Sequence, residues 1–311
     1  MLTHERLEFG FMLYPYPEPS LWPGLADLAA RVDELGYFAV FFPEHLLPPG
    51  GAEEDLANRH WPDSLTLAAF MAARTRRLRF IPGVSVLPHH PPVQYAKQLA
   101  TLDHVSGGRV ILGVGAGWYE EEFDRLGVPF AERSAITDEY LAAMLELWTA
   151  ERPTFAGRHI AFDDVSFEPK PLQRPHIPLF IGGSGKAPAR RVVRHGAGWY
   201  PMTGTTDEKK AAFAAMREAA RDAGRDPDEL WLVGNCYMSI DPSQERASSH
   251  VGAGRPRQRA AAASVADLAA QVDEQVGMGA SLVMVRTAWD GPEDLVSKLR
   301  RFAEEVMPNY R

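Results

Sequence analysis

The chain has 311 residues, 45% hydrophobic and 24% charged, with a formal net charge of −8. That is ordinary globular composition, and an acidic chain without a basic stripe is a poor nucleic-acid binder. A single cysteine, Cys236, excludes an internal disulfide and suits a reducing, cytoplasmic setting; no apolar run reaches the ~20 residues that span a bilayer, and MLTHERLEFGF has no signal-peptide core.

In chain order, Leu7–Leu13 reads as a strand that breaks at the proline-rich Tyr14–Pro19. A helix follows from about Leu21 to Leu35, with Leu25, Leu28, Ala29, Val32 and Leu35 at helical spacing and Gly36 as its stop. Tyr37–Phe42 is a second strand, ending Pro43-Glu44-His45. A long polar loop, 46–63, leads to a helix over Leu65–Arg74 that Asp63 or Ser64 can cap. Phe80–Leu87, Val93–His104 and Val110–Val114 form a strand-helix-strand crossover, which demands parallel strands. Glu132–Thr149 is a helix, and the proline- and aromatic-rich segment 150–178 reads as an insertion with a short hairpin.

The alternation then resumes. Strands are expected at Leu179–Ile181, Ala197–Pro201, Leu230–Ile240 and Ser281–Arg286. Helices are expected at Pro188–His195, Asp207–Ala223, Val265–Val276 and Pro292–Val306. The segment 241–262 is a second irregular insertion, and Cys236 reads as a small buried hydrophobe. Eight strand-helix repeats in one domain, 1–311, predict an α/β fold, a (β/α)8 TIM barrel with insertions; an open doubly wound sheet is the competing arrangement.

Ligands of such barrels lie at the carboxyl ends of the strands. Gly182-Gly183-Ser184-Gly185 ends strand five and opens a helix, where free N–H groups and close backbone approach suit a phosphate, with Lys186 adding charge. A plain tight turn is the alternative. Gly113-x-Gly115-x-Gly117 after strand four lacks dinucleotide-binding spacing, but would let a flat ligand or a phosphate lie on backbone. Trp118 and Tyr119 line a pocket or pack the loop. His45, beside Glu44, is placed to move protons near neutral pH. His60, His89 and His90 raise a metal site, but the later strand ends supply no completing set, so no metal is expected.

Taken together, these passages resemble the bacterial luciferase-like monooxygenase superfamily, and more narrowly its branch of F420 (deazaflavin)-dependent oxidoreductases. The matching residues include Pro43-Glu44-His45, Asp63-Ser64-Leu65, Gly83-Val84-Ser85-Val86-Leu87-Pro88 and Ala96-Lys97-Gln98-Leu99. Ser106-Gly107-Gly108-Arg109, Leu112–Trp118, Glu121-Glu122-Phe123, Glu168-Pro169-Lys170-Pro171 and Ile181-Gly182-Gly183 continue the match. It spans nearly the whole chain, in order.

The resemblance implies a flavin-type ring across the barrel mouth, stacked on a bulge at the end of strand three, with Ser85–Val86 as the non-proline cis pair. It implies cofactor contacts from Glu44, His45, Ser85, Val86, Gly115, Ala116, Gly117, Gly182, Gly183 and Ser184, with His45 as the catalytic residue. Sugar-phosphate dehydrogenases of this family carry a catalytic glutamate where Trp118 stands here, which argues against that activity. The resemblance implies coenzyme F420, for hydride transfer to or from a small organic substrate, or else FMN, for a monooxygenase working with a flavin reductase. Deazaflavin reacts poorly with oxygen, so the cofactor decides the reaction class. A non-catalytic flavin-binding protein is a third reading. Family members are often dimers, so a homodimer is implied.

Overall fold

The computed structural model describes residues 6–14, 16–48, 60–239 and 264–311. The insertion expected at 241–262 lies outside the described residues, as does most of the 46–63 loop. From the N-terminal side come β1 (Glu8–Met12), α1 (Leu25–Glu34), β2 (Ala39–Phe42), α2 (Ser64–Ala72), β3 (Arg79–Pro82), β4 (Ser85–Val86), α3 (Pro92–Ser106) and β5 (Leu112–Gly115). Next are α4 (Glu120–Leu126), α5 (Arg133–Thr149), the expected hairpin β6 (Phe155–Ala156) and β7 (Ala161–Phe162), β8 (Leu179–Gly182) and α6 (Lys186–His195). The chain ends with β9 (Gly198–Tyr200), α7 (Thr206–Asp222), β10 (Trp231–Ser239), α8 (Val265–Met278), β11 (Leu282–Thr287) and α9 (Pro292–Glu305).

The main sheet runs β3-β2-β1-β11-β10-β9-β8-β5-β4, every pair parallel. Its two ends are halves of one strand. β4 ladders with β5, while Phe80 of β3 bridges Val110 just before β5, and this contact closes the cylinder. Eight strand positions with helices between them make the expected (β/α)8 barrel.

Strand alternation sorts the core into two layers. In β10, Trp231 and Val233 point into the barrel with Phe41, Ile81, Phe180 and Met284, whereas Leu232 and Cys236 pack outward under the helices. Phe38 stacks on Trp231 at 5.2 Å and closes the amino-terminal floor. The helices are fixed locally: Asp63 caps α2 by accepting from Thr66 N–H at 2.7 Å, and Thr205 with Glu208 forms a capping box on α7.

Two elements differ from the sequence expectation. The helix predicted from Leu21 opens as a 3-10 turn, Pro19–Gly24, and becomes α-helical only at Leu25. Pro23 crowds the backbone of Trp22 before it and disfavours regular α-helix through that residue. The third strand is broken in two: Gly83 and Val84 bulge out of the ladder, and the non-proline cis peptide is Gly83–Val84, not Ser85–Val86. Ser85 and Val86 sit in ordinary parallel register with Val114 and Gly115. The bulge falls where the neighbouring strands offer space, for a Cβ at Gly113 would meet Gly83 Cα at 2.8 Å.

Candidate active site

Both halves of the expected active-site pair at the end of β2 are engaged, each with a group of opposite type. His45 Nδ1 lies 2.9 Å from Glu122 Oε2, and Glu122 Oε1 accepts from Leu46 N–H at 2.6 Å and Leu47 N–H at 2.8 Å. Glu122 stands in the first turn of α4, where the helix N-terminus favours negative charge. Its side chain is only 2% exposed. Burial pushes the carboxyl pKa up, but the bonds from His45 and the two backbone N–H groups outweigh it and hold the value at about 2. Glu122 is therefore ionised, so His45 donates from Nδ1–H, and its Nε2 is left as the proton-accepting atom.

Glu44 faces the other way. Its carboxylate accepts from Ser64 Oγ at 3.3 Å and lies 3.0 Å from His90 Nε2. His90 stacks on Tyr95 at 4.1 Å, and Tyr95 donates its hydroxyl hydrogen to Ser85 Oγ at 2.6 Å. This buried chain runs through the layer between strands and helices and anchors the end of the third strand. His89 packs edge-on against Phe123, and burial lowers its pKa to about 4, so it is neutral at physiological pH. Among the described residues no three His, Cys, Asp or Glu side chains gather as metal ligands would.

Aromatic rings wall the His45 imidazole. Trp61 lies edge-on at 4.7 Å and Trp118 at 6.2 Å, with Tyr14 5.3 Å beyond Trp61. Trp118 is 43% exposed and Leu46 and Leu47 are similarly open, so the rim of the mouth is apolar.

A flavin-type group fits these residues on two observations. First, Val84 on the bulge enters a notch cut by glycines: a Cβ at Gly182 would meet Val84 Cγ1 at 2.5 Å, and one at Gly115 would meet Val84 Cγ2 at 2.7 Å. The missing side chains let the bulge rise into the mouth as a flat apolar shelf. Second, Gly183 and Gly185 adopt φ of +97° and +96°, and no side chain caps the N-terminus of α6. The first N–H groups of α6 stay open to a phosphate, while Gly183 N–H donates to Tyr200 O at 3.2 Å. Ser184 Oγ donates to Thr203 O at 3.2 Å on the same edge.

The sequence-predicted residues thus divide by place. His45, Gly182, Gly183 and Ser184 gather at the mouth. Gly115 serves the shelf, and Gly117 makes room for Phe123 and Val86. The side chains of Glu44 and Ser85 turn away from the mouth, so any cofactor contact there would be through backbone. Ala116 and Val86 are partly exposed beside the shelf. Sequence reasoning missed Glu122, Trp61 and Val84. For Glu122 the signal was a carboxylate preceding the apolar Phe123 in an acidic helix start, where only one of three glutamates is buried.

Comparison with known proteins identifies the family. The model of the luciferase-like monooxygenase family matches residues 13–306. An F420-dependent glucose-6-phosphate dehydrogenase of Nakamurella multipartita is 32% identical over 298 residues, 90% of this chain and 83% of that protein. An FMNH2-dependent dimethylsulfone monooxygenase of Pseudomonas putida is 36% identical over 154 residues, 49% of this chain and 41% of its own. Among solved structures, monooxygenase RslO1 from Streptomyces bottropensis superimposes with a TM-score of 0.79 at 25% identity, covering 97% of this chain and 99% of its own. The chain is a member of the luciferase-like monooxygenase family of oxidoreductases.

Proposed function

We propose that this chain is an oxidoreductase that uses coenzyme F420 to transfer hydride to or from a small organic substrate. The observation that carries it is the His45 imidazole, oriented by ionised Glu122 with Nε2 open at the barrel mouth. The F420-dependent relative, which aligns over 90% of this chain, supports F420 over FMN. When bound, the deazaflavin ring supplies or accepts the hydride at its C5 carbon.

The chain's own residues do the remaining work. Val84 supports the ring from one face, and the Gly182-Gly183-Ser184 turn with the N-terminus of α6 holds the phosphate. Gly115, Ala116, Gly117 and the backbone of Glu44, Ser85 and Val86 border the ring. His45 takes or returns the substrate proton at Nε2, and Glu122 stabilises the imidazolium formed meanwhile. Trp61, Trp118 and Tyr14 keep water from the reacting atoms, which strengthens the electrostatics between them. A homodimer in the cytoplasm belongs to the same reading.

FMN is the second reading. It is favoured by the 36% identical FMNH2-dependent relative, although that alignment covers only 49% of this chain. Titration of the pure protein with F420 and with FMN, followed by fluorescence, decides between them. Tighter binding of F420 is expected. Tighter binding of FMN, with substrate-dependent oxygen uptake when a flavin reductase is added, would replace the first reading with the second.

A further inference from the structure

A cavity of about 170 Å³ opens on the same mouth, away from His45, between the ends of β9, β10 and β11 and the start of α7. Tyr200, Lys209, Asn235, Tyr237, Glu274 and Arg286 contribute to its wall. Arg286 carries a full charge into the barrel without a carboxylate partner among the described residues. Its Nη1 donates to Tyr237 Oη at 3.2 Å and its Nη2 to Met12 Sδ at 3.0 Å, while its buried Nε has no acceptor at all. Lys209 likewise has no ion pair among the described residues; burial lowers its pKa, and the Arg286 charge adds to that. The one carboxylate on the wall among the described residues, Glu274, accepts from Thr206 Oγ1 at 2.6 Å.

Two cations left short of acceptors in a partly buried cleft cost stability unless an anion completes them. Among the described wall residues two positive charges stand against one negative, and a monoanion balances the remainder. A phosphate monoester, at about −1.5 to −2 near pH 7, would be left overcharged against Glu274. The neutral donors Tyr237 and Asn235 suit the two oxygens of a carboxylate. Arg286 touches Met12, two residues before Tyr14, and Tyr14 leads through Trp61 to His45. The cavity and the proton-handling imidazole are therefore two ends of one mouth.

We propose that Lys209 and Arg286 form a subsite for the carboxylate end of the substrate, whose less polar reacting part lies under His45, Trp61 and Trp118. This deepens the oxidoreductase reading and rests on it for the word substrate. The anion subsite is nonetheless tested without any cofactor.

The test is calorimetric titration of the cofactor-free protein with benzoate and, separately, with inorganic phosphate at fixed ionic strength. Benzoate should bind at least fivefold more tightly than phosphate. Lys209→Met and Arg286→Gln should each weaken benzoate binding about tenfold, and Glu274→Gln should narrow the preference by strengthening phosphate binding. Lys209 lies at the mouth end of an exposed helix, so its variant reports even where Arg286→Gln fails to fold. F420 affinity, read by fluorescence, should stay within twofold in both cation variants. Tighter phosphate than benzoate binding, or benzoate binding unaltered by Lys209→Met, would overturn the assignment. A tenfold loss of F420 affinity in Lys209→Met would overturn it too, giving the cations to the cofactor. Failure of the protein to bind F420 at all bears only on the oxidoreductase reading.

Discussion

Replacing Glu122 by Gln tests the proton-handling role of His45 directly, because it removes the charge and keeps the shape. One amide oxygen can still accept from Leu46 and Leu47 N–H, as Oε1 does now. The amide NH2 then faces His45 Nδ1, where a donor already points at 2.9 Å. Two donors cannot share that contact, so the imidazole must adopt the other tautomer, with hydrogen on Nε2 and its acceptor turned inward. General acid-base contributions of about 10²–10⁴ in kcat are at stake. Stability falls as well. Displacement of the carboxyl pKa from 4.5 to about 2 corresponds to about 3 kcal/mol, at ~1.4 kcal/mol per unit.

The sign follows from the depressed value. This stabilisation is complete above the ordinary carboxyl pKa of 4.5 and is lost as pH falls toward about 2. Steady-state turnover with F420, cofactor titration and urea melts between pH 7 and pH 3 measure the three consequences. The wild type should lose stability across the acidic range and Glu122→Gln should lose less, while F420 affinity stays within about threefold. Turnover within twofold of wild type in Glu122→Gln would refute the role assigned to His45 Nε2.

Three further outcomes are expected. His45→Ala should lower kcat by about 10²-fold or more with little change in F420 affinity, measured by paired kinetics and fluorescence titration. Gly183→Asp should abolish cofactor binding in the same titration, since φ of +97° strains any side chain there and the carboxylate would repel a phosphate. Gly182→Ala should destabilise the fold by about 1–3 kcal/mol in a urea melt and weaken cofactor binding, because its methyl meets Val84 Cγ1 at 2.5 Å and must push the shelf aside.

The barrel was legible because its signal is periodic and repeated. Apolar runs such as Tyr37–Phe42 and Ser281–Arg286 alternate with amphipathic helices, and the expected boundaries fall close to those found. The turn at Gly182–Gly185 was legible because a glycine cluster between strand and helix has few structural purposes. The pairing of His45 with Glu122 was not: 77 residues separate them, and no local pattern marks which of Glu120, Glu121 and Glu122 turns inward. The glycines after strand four were expected to border a ligand. Gly113 and Gly115 also make room for the bulge of the adjacent strand, a tertiary demand that leaves no trace in their own neighbourhood. The position of that bulge was missed by two residues for the same reason.

Glu44 and His45 are consecutive, one acid and one imidazole, and each is matched across the barrel end to the other type: Glu44 to His90, His45 to Glu122. The two lie just beyond β2, so a slip of that strand by one position would carry Glu44 to the place of His45 and Pro43 to the place of Glu44. Carboxylate would then meet carboxylate at Glu122, and His90 would face a proline with no acceptor side chain. The alternation of type works as a key that admits only one setting of the strand, and the setting it admits is the one that brings an imidazole to the mouth.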